Sequence, residues 1–189
     1  EGLKDTVDWV NESVTYWADM MDMWKAKPNK FMSYRDLDDN SIDATPGGEP
    51  IICYWKVKPD EALIVRVIPP TADYWAVETG HYWWETMDYR YRQCSTNCYH
   101  AELEDDGSLI LVLTHDDSSY PNWIDPSEHN EGYITFRWIG SDYYPVPECQ
   151  QVRRNDLDQA IAGAKRISSE RREKLMVGRR LGINKRFRT

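Results

Sequence analysis

Apolar residues along the chain change their period twice. From Leu3 to Trp24 they step by 4, 3, 4, 3, 4 and 3 (Leu3, Val7, Val10, Val14, Trp17, Met21, Trp24), which is the seam of an amphipathic helix. Asp5, Asp8, Glu12, Asp19 and Asp22 take the other positions, and Pro28 ends the run. Three heptads are too few for a free coiled coil, so the seam must pack on something. The chain's own sheet and a partner subunit are the two options. The tryptophans and adjacent methionines at its end raise the second option to equal standing with the first, with Val10, Val14, Trp17, Met21 and Trp24 as candidate interface residues.

From about residue 51 the period becomes two. Strands are predicted over 51–57, 62–68, 73–79, 88–94, 98–104, 109–115 and 133–139, at roughly ten-residue spacing. Asp106-Gly107, between the 98–104 and 109–115 runs, predicts a hairpin turn. Residues 35–50 read as an acidic surface loop. There Asp36, Asp38 and Asn40 alternate as in a calcium loop, without its glycine and distal glutamate. After Pro145 and Pro147 the pattern turns helical. Asp156 and Gln159 form a candidate capping box, and Ser168 or Ser169 caps a basic helix to about Arg180, with fraying from Gly182 onward. The predicted fold is mainly β: an antiparallel β-sandwich of jelly-roll type over 45–150. An N-terminal helix and acidic loop (1–44) and a basic helical tail (151–189) flank it.

Composition sharpens this in two ways. Nine Trp and twelve Tyr stand against three Phe, and most lie in strand-like runs, so they are read first as core. Residues 151–189 carry 12 Lys/Arg against 4 Asp/Glu, a net of +8, whereas residues 1–150 carry 11 against 28, a net of −17. Such a tail is drawn to its own body or to a neighbouring acidic subunit. The acidic body repels phosphate, which argues against nucleic acid as a partner. No apolar run of about 18 residues exists to span a membrane, and no signal peptide is recognisable. The chain begins with Glu1 rather than Met, which leaves the compartment open. Cys53, Cys94, Cys98 and Cys149 are sparse. Cys94 and Cys98 read as a local disulfide or two free thiols rather than, with His100, a zinc site.

Candidate chemistry concentrates in His115-Asp116-Asp117, Pro121-Asn122-Trp123-Ile124-Asp125, His129 and Gly132, a loop between two apolar strands. Three readings follow. In the first, His115 is a core-edge histidine bonded to a carboxylate such as Asp125, Pro121-Asn122 is a turn, and Trp123 plugs the core. In the second, His115, Asp125 and His129 form a metal or acid/base cluster. In the third, Tyr120, Asn122 and Trp123 make a shelf for a carbohydrate or small aromatic ligand. His81 and Glu85 read as a satisfied polar pair. No nucleophile elbow, phosphate loop or dinucleotide fingerprint is present, and no cofactor is expected.

The stretch from Tyr74 to about Leu157 resembles DUF1214, a bacterial domain family of unknown function. The residues that carry the likeness are Tyr74-Trp75, Trp83-Trp84-Glu85, Met87-Asp88-Tyr89-Arg90-Tyr91, His115, Pro121-Asn122-Trp123-Ile124-Asp125, His129, Gly132, Phe136-Arg137-Trp138 and Pro145. Glu170-Arg171-Arg172 resembles the family's C-terminal end. The resemblance implies a jelly-roll-like domain at the end of longer proteins, often beside a domain called DUF1254, and it implies no established activity. Where the family usually has Arg-Asp-Pro-Gly after the first histidine, this chain has Asp116-Asp117-Ser118-Ser119. The expected function is a non-catalytic binding or structural module in a homo- or hetero-oligomeric assembly. The alternative is a metal- or His/Asp-dependent enzyme acting on a small molecule or carbohydrate.

Overall fold

A computed structural model describes residues 2–33 and 48–188. The alternating Asp36, Asp38 and Asn40 lie outside the described residues. The elements in chain order are α1 (Gly2–Lys25), β1 (Phe31–Ser33), β2 (Gly48–Lys56), β3 (Glu61–Val67), β4 (Tyr74–His81) and β5 (Ser95–Asn97). They continue with β6 (Leu109–Leu113), β7 (Trp123–Ile124), β8 (Glu131–Ile139), β9 (Glu148–Arg153), α2 (Leu157–Ala160) and α3 (Ser169–Phe187). The strands form a five-stranded sheet ordered β1-β2-β8-β4-β5 and a four-stranded sheet ordered β7-β6-β3-β9. All pairs are antiparallel except β6 with β7.

Strand alternation places the core. Ile51, Cys53 and Trp55 of β2, Val77 of β4, and Ile134, Phe136 and Trp138 of β8 meet Leu63 and Val65 of β3 and Leu109, Leu111 and Leu113 of β6 in one buried cluster between the sheets. The intervening residues of β2, β3 and β6 are also apolar because both sheets are covered outside. Ile52 and Tyr54 lie under Met20, Met21 and Trp24 of α1. Ala62, Ile64, Ile110 and Val112 lie under Tyr120, Leu157 and Ile161. That double burial is why Ile51–Trp55 and Leu109–Leu113 read as unbroken apolar runs. At Gly132, on β8, an added Cβ would collide with the Gly80 carbonyl oxygen, so this position admits no side chain.

Several predicted elements are corrected. Residues 88–94 form no strand: Asp88 accepts from Tyr91 N at 3.2 Å through its carboxylate and from Arg92 N at 3.0 Å through its carbonyl, closing a turn. Tyr89 and Tyr91 are exposed there. Residues 98–104 also turn, around Asn97, whose side chain accepts from Tyr99 N at 3.0 Å. The Asp106-Gly107 turn exists, with Gly107 at φ +81, but no strand precedes it. Strand β9 carried no apolar signal because it is mostly exposed. Asp156 makes no side-chain cap, and α2 is a single turn. Ser168 does cap α3, accepting from Arg171 N at 3.3 Å, and that helix continues past Gly182 to Phe187. No helix among the described residues is long and apolar enough to cross a membrane.

Helix α1 is docked at one end only. Trp84, at the turn after β4, is in the left-handed region (φ +63). Its ring stacks on Tyr133 at 4.2 Å and on Trp24 at 5.5 Å, and meets Trp17 at 5.2 Å. Met21 and Trp24 therefore spend their surface on the chain's own sheet and leave the candidate interface. Val10 and Val14 stay exposed, and Trp17 is 42% exposed.

Candidate functional site

The loop after β6 is held by bonds to its own neighbourhood. Asn122 is buried, and its amide makes three bonds. Its oxygen accepts from Glu102 N at 2.9 Å, while its nitrogen donates to the carbonyls of Glu102 at 2.7 Å and Ile110 at 3.1 Å. This returns the chain so that Trp123 and Ile124 run parallel beside Val112 and Leu113. The Trp123 indole N–H donates to the Thr114 carbonyl at 2.9 Å. His115 Nε2 donates to the Val57 carbonyl at 3.1 Å. The partner of this core-edge histidine is thus a backbone carbonyl of the facing chain, not Asp125.

The basic C-terminal segment closes over this loop. Arg172 is buried, and its guanidinium is almost fully used. Nε donates to Asp117 Oδ2 at 2.9 Å, Nη1 to Gln93 Oε1 at 2.7 Å and to the Pro121 carbonyl at 3.1 Å, and Nη2 to the Tyr120 carbonyl. It also lies 5.3 Å from the centre of the Trp123 ring. One turn of paired acceptors with one carboxylate is what a buried guanidinium requires. Arg166 covers the Tyr120 ring at 4.0 Å and pairs with Asp158, which accepts from the Tyr120 hydroxyl at 3.0 Å. Burial and that bond push the Tyr120 phenol up to about 12, and the Arg166 guanidinium holds the Asp158 carboxyl below its ordinary value. Arg171 bonds Glu102 at 2.9 Å, and Arg154 bonds Asp116 at 3.0 Å. Seven residues beyond Arg172, Arg179 donates to the carbonyls of Tyr89 and Ser95, both at 3.0 Å. The tail thus lies on its own acidic body.

The proposed ligand shelf is therefore occupied from within: Arg166 covers Tyr120, Arg172 faces Trp123, and the Asn122 amide is spent. The proposed metal cluster does not assemble. Asp125 faces Arg92 at 3.4 Å and accepts from Ser127 N at 2.8 Å. His129 is exposed and stacks on His81, ring centres 5.0 Å apart. His115 points to Val57. Among the described residues no group of three or more His, Cys, Asp or Glu side chains is placed to hold a metal ion. His81 Nε2 pairs with Glu85 at 2.6 Å, the polar pair expected of them. Cys94 and Cys98 are free thiols, and burial pushes Cys94 up to about 11.

Sequence reasoning missed Arg172, Arg92 and Gln93 as the clamps of the loop, and Arg179 as the second anchor of the arm. The available signal was the heptad spacing of Arg172 and Arg179 on one helix, combined with the opposite charges of tail and body.

No protein-family model matches the sequence, and no curated protein matches it significantly. Solved structures do. An uncharacterised protein from Burkholderia cenocepacia is 27% identical, with a TM-score of 0.67 over 72% of this chain and 38% of its own. The protein VPA0106 from Vibrio parahaemolyticus is 16% identical, with a TM-score of 0.48 over 60% of this chain and 33% of its own. The chain thus spans well under half the length of the structures it matches.

Proposed function

We propose that this chain is a non-catalytic β-sandwich module that works as one part of a larger protein assembly, engaged through the free half of α1. The carrying observation is the split use of one helical seam. Met21 and Trp24 are buried on the body, whereas Leu3, Val7, Val10, Val14 and Trp17 are 42–80% exposed along the same face. An apolar stripe of that length is characteristic of an interaction surface. The loop richest in polar side chains supports a scaffold role, since its donors and acceptors serve the C-terminal arm. The longer Burkholderia cenocepacia protein, of which this fold occupies 38%, is consistent with a module in a larger whole. The resemblance to DUF1214 fits the same reading.

Stability measurements test it. Val10→Asp/Val14→Asp should leave the unfolding free energy within about 0.5 kcal/mol, as surface changes do. Met21→Asp should cost about 3 kcal/mol or more by burying a charge. If the valine variant destabilises the fold by a comparable amount, the seam is consumed inside the monomer and the reading is wrong.

A further inference from the structure

Resting on the reading of α1 as an interaction surface, the geometry points to its occupant: the same helix of a second copy of this chain, packed antiparallel across a twofold axis. Four features of the molecule argue for this partner.

The first is charge. With 100° per residue, Leu3, Val7, Val10, Val14 and Trp17 define one pole of α1, and Asp5, Asp8, Glu12 and Asp19 fall within roughly 40° of the opposite pole. The positions flanking the seam are Lys4, Thr6, Asn11, Ser13 and Ala18, with no carboxylate among them. Two copies can therefore bring their seams together while their acidic faces point apart. The second is shape. The flanking side chains are mostly short and the seam is mainly valine, so two such helices can approach closely.

The third is the support beside the helix. Two heptads alone make a weak pair, but the apolar surface continues from Trp17 onto Trp84, which is still 36% exposed. A second helix would have this aromatic wall to lie against. The fourth is orientation. The acidic body is attached at the Met20–Trp24 end of α1. An antiparallel pair puts the two bodies at opposite ends of a contact roughly 24 Å long, for about 16 free residues, and so separates their like charge. Antiparallel pairing across a twofold axis perpendicular to the helices also gives a closed isologous dimer.

The basic helix α3 of a second copy is the competing occupant, and it fits less well. Its outward stripe runs Lys174, Val177, Leu181, Lys185, all exposed. It would bury two ammonium groups against a seam that offers them no carboxylate.

Sedimentation of the full chain across the micromolar range decides. We expect a reversible monomer–dimer equilibrium of modest affinity, as a small interface gives. It should strengthen as salt rises, because salt screens the repulsion between two copies of net charge −9. Val10→Asp/Val14→Asp should weaken dimerisation about tenfold or more. Val10→Thr/Val14→Thr, which keeps the side-chain shape, should weaken it in the same direction while the far-ultraviolet dichroism stays unchanged. Lys174→Glu/Lys185→Glu should leave it intact. A dimer that salt weakens and the lysine variant abolishes would assign the contact to α3 and overturn this inference, while the free α1 surface would stand by the separate stability test. A wild-type chain that stays monomeric throughout the range overturns it as well.

Discussion

At the scale of single residues, the molecule turns on Arg172. Its buried guanidinium ties the C-terminal arm at once to Asp117, Tyr120 and Pro121 of the polar loop and to the buried Gln93. Truncation would strand the buried Gln93 Oε1 and take one of two donors from each of the Tyr120 and Pro121 carbonyls. Arg172→Ala should therefore cost about 2 kcal/mol or more in urea unfolding, as leaving a buried acceptor unsatisfied does. Arg172→Lys should recover little of this, because one ammonium cannot span acceptors arranged around a planar guanidinium. A loss under about 1 kcal/mol would show that the arm is not anchored there. Single residues were also where the sequence was least legible. His115 and Asn122 announce themselves as polar groups beside an apolar strand. Their partners, the Val57 and Ile110 carbonyls, are backbone groups that no residue code marks.

At the scale of elements, legibility followed burial. The runs Ile51–Trp55, Ala62–Val65 and Leu109–Leu113 were readable as strands because each is apolar on both faces, and each lies in a sheet covered on its outside. Strand β9 was not, since its register against β3 is set by backbone pairing while most of its side chains face water and Cys149 and Val152 are half-buried. The Tyr89 and Tyr91 alternation imitates a half-buried strand, yet Asp88 folds it into a turn by accepting backbone N–H groups, a local competition that composition hides. The arm formed by α2, its following turn and α3 has a pH signature. Arg166 and the Tyr120 hydroxyl hold Asp158 below its ordinary value. A depressed carboxyl contributes stability that is complete above the ordinary carboxylate pKa and is lost as pH falls through the lowered one. The unfolding midpoint should therefore decline at the acid end, and Asp158→Asn should flatten that limb while lowering the neutral plateau slightly. The pair is largely exposed, so the effect is expected to be small. An acid limb identical in wild type and Asp158→Asn would show that this contact does not help hold the arm.

At the scale of the whole molecule, one chain keeps two opposite charges close and one apolar face free. Cations of the tail are matched to Asp60, Glu102, Asp105, Asp116 and Asp117 of the body, so part of the attraction between a +8 segment and a −17 body is satisfied within the monomer. The sequence shows both charges and both helices, but not which of the two helices would find its partner at home. That depends on tertiary placement: α3 lies along the loop, while α1 reaches the sheet only with its last turns. Hydrogen exchange along α1 reads this division residue by residue. In dilute protein, amides near Met20 to Trp24 should be protected and those from about Thr6 to Tyr16 should exchange freely, since a free helix of that length is marginal in water. As concentration rises, the second group should gain protection while the first stays unchanged. Uniform protection of the whole helix in the dilute monomer, or no gain at any concentration, would contradict the assignment of this face to a partner.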